Sequence, residues 1–278
     1  MSYLVDYHMH STYSTDGNNT INEMCQSAII NGLKEIAITD HFEPTDGDEM
    51  YLPYDQRGYW AEITKAKQQY KGKLKIKLGI ELGQPYLFQE GSNAILRDFP
   101  YDYVLASAHK FADGSDMSEI DYASISIEDV CQLYLKQLDI LLDWENFDCI
   151  AHLDLIKRYS AGIYGKNLSL NCQHELLSQV LRKVILKGKG IEINTSGLRQ
   201  APKEAMPGID VIALYHRLGG EILTLGSDAH SAEDVGKGIK EAIMLASDAG
   251  FRFITVFNQR KQEYIKISNE KAFSVSQG

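Results

Sequence analysis

Along the chain, short apolar runs alternate with longer stretches whose apolar positions recur every three or four residues. Runs at 4–8, 35–39, 76–81, 103–108, 149–152, 190–194 and 222–227 read as strands. In 127–142 the residues Val130, Leu133, Tyr134, Leu138, Leu141 and Leu142 fall on one helical face, and 21–31, 58–70, 174–187, 209–218 and 232–249 share that period. Gly32, Gly72, Gly188, Gly219 and Gly250 close several of these helices, as left-handed C-caps require. Strand–helix alternation predicts a parallel sheet. About seven units suggest a barrel one short of the usual eight, with 253–267 as an extra strand or hairpin. With no low-complexity tract, long linker or repeat, the expectation is one α/β domain spanning 1–278. Its core would run from about 3 to 250, and 251–278 would form a C-terminal extension packed on it.

Composition narrows the function. Hydrophobic residues at 44% and charged residues at 24% describe a soluble globular protein rather than a disordered one. No apolar run approaches the roughly 18 to 20 residues that cross a bilayer. The start, Met1-Ser2-Tyr3-Leu4-Val5-Asp6, lacks the basic and apolar regions of a signal peptide, so a cytoplasmic location is expected. Cys25, Cys131, Cys149 and Cys172 form no C-x-x-C pair and read as buried free thiols. A net charge of −10 argues against a nucleic-acid or membrane partner. It leaves room for a small anionic substrate only where bound cations make the site locally positive.

The histidines carry the chemistry. His8 and His10 end the first strand two residues apart, on the same side. His41 follows the second strand, His109 the fourth, His152 the fifth and His230 the seventh, while Glu81 closes the third and Asp228 precedes His230. Strand C-terminal ends are where α/β barrels keep their active sites. Core packing has no need of histidine there, and a carboxylate such as Glu81 inside an apolar run is costly without a partner. With Asp16 in the first loop there are nine candidate ligands, more than one zinc needs. Mixed imidazole and carboxylate donors suit two or three shared cations of zinc, iron or manganese. His174 and His216 lie in helical stretches and read as solvated or capping residues.

The runs His8-Met9-His10-Ser11, Thr39-Asp40-His41, Gly79-Ile80-Glu81, Ser107-Ala108-His109, Ala151-His152 and Ser227-Asp228-Ala229-His230 resemble the motifs of the polymerase and histidinol phosphatase (PHP) family, from about residue 3 to 240. The resemblance implies a distorted (β/α)7 barrel, TIM-barrel-like, with three divalent metal ions. His8, His10, Glu81 and Asp228 would hold one. Glu81, His109 and His152 would hold a second, and Asp16, His41 and His230 the third. Some family members carry histidine at the place of Asp16. The runs 6–11, 152–158 and 192–199 resemble those of the stand-alone histidinol-phosphate phosphatases, which implies hydrolysis of L-histidinol phosphate in histidine biosynthesis. The alternative is another small phosphoester, such as a sugar or nucleotide phosphate.

For such a reaction the expected attack is in line, by a metal-bridging hydroxide. Asp228, His230 or a metal-bound water would protonate the leaving alkoxide. Three divalent cations against Asp16, Glu81 and Asp228 would leave the cluster near +3, favouring a phosphate dianion. Arg158 and Arg199 are candidate bidentate phosphate ligands, with Lys110 a further one. Glu43, at the head of a polar segment running to 51 that reads as a lid or a solvated acidic loop, is a candidate partner for the substrate ammonium. Asn194 and Ser196 are candidate polar contacts to substrate.

Overall fold

The computed structural model describes residues 3–43 and 54–267. Its strands are β1 (Val5–Asp6), β2 (Glu35–Ile38), β3 (His41–Phe42), β4 (Lys75–Gly83), β5 (Tyr103–Ser107), β6 (Cys149–Ile150), β7 (Gly190–Asn194), β8 (Leu223–Gly226), β9 (Phe253–Asn258) and β10 (Lys261–Lys266). The helices are α1 (Ile21–Ile30), α2 (Gln56–Gln69), α3 (Gln89–Arg97), α4 (Ile127–Leu141), α5 (Ile156–Ser160), α6 (His174–Leu186), α7 (Ser196–Arg199), α8 (Ile209–Arg217) and α9 (Ile239–Asp248). The sheet runs β1-β2-β4-β5-β6-β7-β8 with every pairing parallel, and β3 pairs with β4 in the register that β2 begins. Three backbone hydrogen bonds of 2.8 Å close the seam: Tyr7 N to Leu225 O, Asp228 N to His8 O and His10 N to Ala229 O. The result is a distorted (β/α)7 barrel in a single α/β domain. Helices cover its outer face, which is why the strands are buried almost throughout and read as continuous apolar runs.

All seven expected strands form. The stretch 232–249 is not one helix, because Gly236 and Gly238 take left-handed φ of 76° and 77° and break the chain before α9. Helices α3, α5 and α7 were not anticipated, and the last two span only five and four residues, too few to show a period. Cys25, Cys131 and Cys149 are buried, but Cys172 is exposed, in a 3₁₀ turn (170–173) that packs against α4 and α6. Among the described residues no helix is long and apolar enough to cross a membrane.

The β9–β10 hairpin covers the N-terminal end of the barrel. Thr255 Oγ1 accepts from Leu223 N, Asp102 receives Gln259 N, and Arg260 Nε donates to Asp148 Oδ2. Phe257 stacks on Tyr103 at 5.0 Å, and Tyr103 meets Tyr7 edge-on at 5.2 Å. This aromatic column fills the barrel beneath the histidines. Phe257→Ala should cost about 3–5 kcal/mol by urea denaturation, since a ring only 1% exposed leaves a cavity that the strands cannot collapse into.

Candidate metal centre

At the opposite end, the strand ends and the first loop bring nine side chains, Glu81 at their centre, into one cluster. This carboxylate is fully buried on β4, directly across from His41 on β3. Its Oε2 lies 3.1 Å from His8 Nε2, 3.0 Å from His41 Nδ1 and 3.5 Å from His10 Nε2. Its Oε1 lies 3.0 Å from His152 Nε2 and 3.7 Å from His109 Nε2. Asp228 Oδ1 stands 3.4 Å from His10 Nε2 and 3.6 Å from His8 Nε2. Asp16, half-exposed on its loop, reaches His230 Nε2 at 3.1 Å and His41 Nε2 at 3.6 Å.

The hydrogen-bond pattern fits a set of divalent cations. His8 Nδ1 donates to Glu192 Oε1 at 2.7 Å, and His109 Nδ1 to Glu43 Oε1 at 2.7 Å. His230 Nδ1 donates to Asp228 O at 3.1 Å. Ser14 Oγ gives its proton to Asp40, so it accepts from His10 Nδ1 at 3.2 Å. In all four rings Nδ1 carries a proton to a neighbour, which leaves Nε2 as the nitrogen turned inward. The Nε2 atoms of His8 and His10 then face each other at 3.0 Å, and that of His230 faces a carboxylate oxygen. Nitrogens this close need a proton or a metal cation between them. His41 Nδ1 is buried without a hydrogen bond although Glu81 is 3.0 Å away, and His152 Nδ1 is also without one. Three overlapping groups could each hold an ion: His8, His10 and Glu81; Glu81, His109 and His152; and His10, His41 and His230. His10 therefore faces two of the three positions, closer to His41 and His230 than its expected grouping implies.

Electrostatics keep the carboxylates ionised. Burial opposes ionisation of Glu81, but His8 and His41 outweigh it and hold the carboxyl well below the usual range. Asp228 is likewise held well below it, by His8, His10 and Arg158 against burial. Burial also opposes protonation of His8, yet Glu192, Glu81 and Asp228 raise its pKa well above a free imidazole's.

The cluster opens onto a cavity lined by Asp16, His41, Glu43, Lys110, Arg158 and Tyr159, among others. Arg158 Nη2 donates to Asp228 Oδ2 at 2.9 Å and to Ser196 Oγ at 3.0 Å. Arg199 does not line this cavity; its Nη2 donates to Ser227 O and its Nε lies 3.4 Å from Asp234. Asn194 and Ser196 are fully buried and turned inward to Asp228, with Asn194 Nδ2 and Ser196 Oγ 3.3 and 3.2 Å from its Oδ2. They brace a carboxylate rather than face the cavity, because the turn from β7 into α7 points them across to β8. Glu43 faces the cavity but is engaged with His109 and with Gln84 Nε2. The remainder of the polar segment, 44–51, lies outside the described residues. His174 and His216 stand apart, exposed, the first bonded to Asn171 and the second against the Phe251 ring.

Sequence reasoning passed over Glu192. It carries the same signal as Glu81, a carboxylate within an apolar strand in Gly190-Ile191-Glu192-Ile193. Its carboxylate is 1% exposed and accepts from His8 Nδ1, from His152 N at 2.9 Å and from Asn194 Nδ2 at 3.1 Å.

Comparison with known proteins agrees with this geometry. Residues 6–196 match the model of the PHP domain. A histidinol-phosphatase of Lactococcus lactis subsp. lactis (strain IL1403) is 33% identical over 92% of this chain and 95% of its own length. A probable histidinol-phosphatase of Clostridium acetobutylicum is 30% identical, over 93% of this chain and 98% of its own. The crystal structure of histidinol phosphate phosphatase from Lactococcus lactis complexed with zinc, L-histidinol and phosphate superposes with a TM-score of 0.83 at 29% identity, covering 95% of this chain and all of that one.

Proposed function

The chain belongs to the PHP domain family, and from that premise we propose that it is a metal-dependent phosphomonoesterase hydrolysing L-histidinol phosphate to L-histidinol and phosphate in histidine biosynthesis. The observation that carries this is the set of inward-facing imidazole nitrogens around Glu81, opening onto a cavity edged by Arg158. The named substrate follows from the Lactococcus lactis enzyme, whose crystal structure holds histidinol and phosphate.

The three overlapping donor groups support three divalent cations, of zinc, manganese or iron. When bound, such ions lower the pKa of water, bind phosphoryl oxygens and neutralise developing charge. Glu43 and Glu192 must enter the charge count, which brings the expected +3 down to about +1. Arg158 and Lys110 then matter more, because they restore positive potential where a phosphate dianion enters. Asp228 Oδ2 already accepts from Arg158, and Ser196 Oγ and Asn194 Nδ2 lie at 3.2 and 3.3 Å from it. His230 keeps its proton on Nδ1 toward a carbonyl. With Asp228 so engaged and His230 Nε2 turned to Asp16 as a ligand atom, we assign protonation of the leaving alkoxide to water there.

Steady-state rates on a panel of phosphomonoesters test the substrate. Histidinol phosphate should exceed sugar and nucleotide monophosphates by at least about tenfold in kcat/KM, a preference of roughly 1.4 kcal/mol in transition-state binding. Equal rates across the panel would reject the assignment while leaving the phosphatase chemistry standing.

A further inference from the structure

We infer that Glu192 is a positioning residue that fixes two metal ligands at once, setting the tautomer of His8 and the backbone of His152 through a single buried carboxylate. It rests on the metal-centre reading above, though not on the identity of the substrate.

Glu192 projects from the middle of β7, and its two oxygens divide the work. Oε1 accepts from His8 Nδ1 at 2.7 Å, and Oε2 accepts from the main-chain N–H of His152 at 2.9 Å. The first bond keeps a proton on Nδ1, so that Nε2, facing Glu81 and Asp228, is the nitrogen left to ligate a metal. The second helps hold His152 at φ 27°, a positive φ uncommon for a residue other than glycine. That backbone aims His152 Nε2 at Glu81 Oε1, 3.0 Å away. Strands β1 and β6 are thus referenced to one point on β7, although they are not neighbours in the sheet.

Two further features show that the site is built for a carboxylate. Asn194 Nδ2 is a third donor to the carboxylate and the second on Oε2, so both oxygens must accept and neither can be an amide nitrogen. Space for it comes from Gly226 on β8, where a Cβ would fall 2.1 Å from Glu192 Oε1 and 2.4 Å from His8 Cβ. Any larger residue at 226 would push the carboxylate off His8.

A glutamine at 192 keeps the shape but must set its NH₂ group against one of these donors. Facing His8, it would donate to Nδ1 and drive the proton to Nε2, where it points into the metal position. Facing His152 or Asn194, it would oppose a donor and release the strained turn.

The test is zinc affinity by competition with a chromophoric chelator, without substrate, on wild type, Glu192→Gln and Gly226→Ala, with circular dichroism as a check on folding. Both variants should bind zinc about 10–100-fold more weakly than wild type while folded. Long-range ¹H–¹⁵N correlation spectra of the zinc-loaded wild type should show the His8 proton on Nδ1, an outcome that needs no variant to fold. Wild-type zinc affinity in folded Glu192→Gln, or a His8 proton absent from Nδ1 in the wild type, would overturn the inference. Failure of the wild type to bind zinc at all would instead reject the metal-centre reading on which it stands.

Discussion

Replacing Glu81 by alanine is expected to lower kcat/KM on phosphomonoester by about 10³-fold or more, and to strip bound metal from the gently purified protein. Among the described residues, Glu81 is the one side chain within 3.7 Å of His8, His10, His41, His109 and His152 together. Its removal takes away the carboxylate that joins these five imidazoles, leaving Asp228 beside His8 and His10 and Asp16 beside His41. Metal ions contribute several kcal/mol to such a transition state, and about 4 kcal/mol is already a factor of 10³. Elemental analysis beside steady-state kinetics reads both effects. A Glu81→Ala protein with full metal content and wild-type turnover would remove the basis for the centre. Fold stability should suffer less than activity, because the barrel beneath is held by the Tyr7–Tyr103–Phe257 column, which Glu81 does not touch.

Arg158→Met is the second large effect, expected at about 10²- to 10³-fold in kcat/KM, with zinc content unchanged. Losses of that size follow removal of a single donor aimed at developing charge. Arg158 borders the cavity, shares Asp228 and Ser196 with the cluster, and keeps a buried Nε without a hydrogen-bond partner. A phosphate oxygen would complete it, with the guanidinium fork spanning phosphate and Asp228. Arg158→Lys should recover only part of the loss, since an ammonium supplies a point charge without the fork. Because Asp228 faces His8 and His10 through its other oxygen, metal content must be measured on the same samples. Unchanged kinetics for Arg158→Met would exclude it from phosphate binding. Arg199→Met serves as the contrast, with less than about a tenfold change in kcat/KM, because its contacts run to Ser227 O and Asp234 away from the cavity.

Much of this was legible in the chain because it is local. Strand and helix periods are written in consecutive residues, so all seven barrel strands could be read, whereas α5 and α7 are too short to carry a period. The two glycines that break 232–249 were visible, but their left-handed conformation follows from packing of that loop. Ligand candidates were legible for a related reason. A barrel places strand ends at one mouth, so histidines at successive strand ends converge whatever the details of packing.

The sequence by itself thus determined the barrel, the mouth that carries the site, and the kinds of donor gathered there. Only the tertiary structure decided how those donors are held and what faces the substrate. His8 and Glu192 are 184 residues apart, and His109 and Glu43 are 66 apart, with no periodicity linking them. Asn194 and Ser196 turned out to brace Asp228, Glu43 to hold His109, and Arg158 rather than Arg199 to border the cavity. Each of these follows from which buried polar group needs a partner and which one lies within reach, and that is set by the closed barrel rather than by neighbours in the chain.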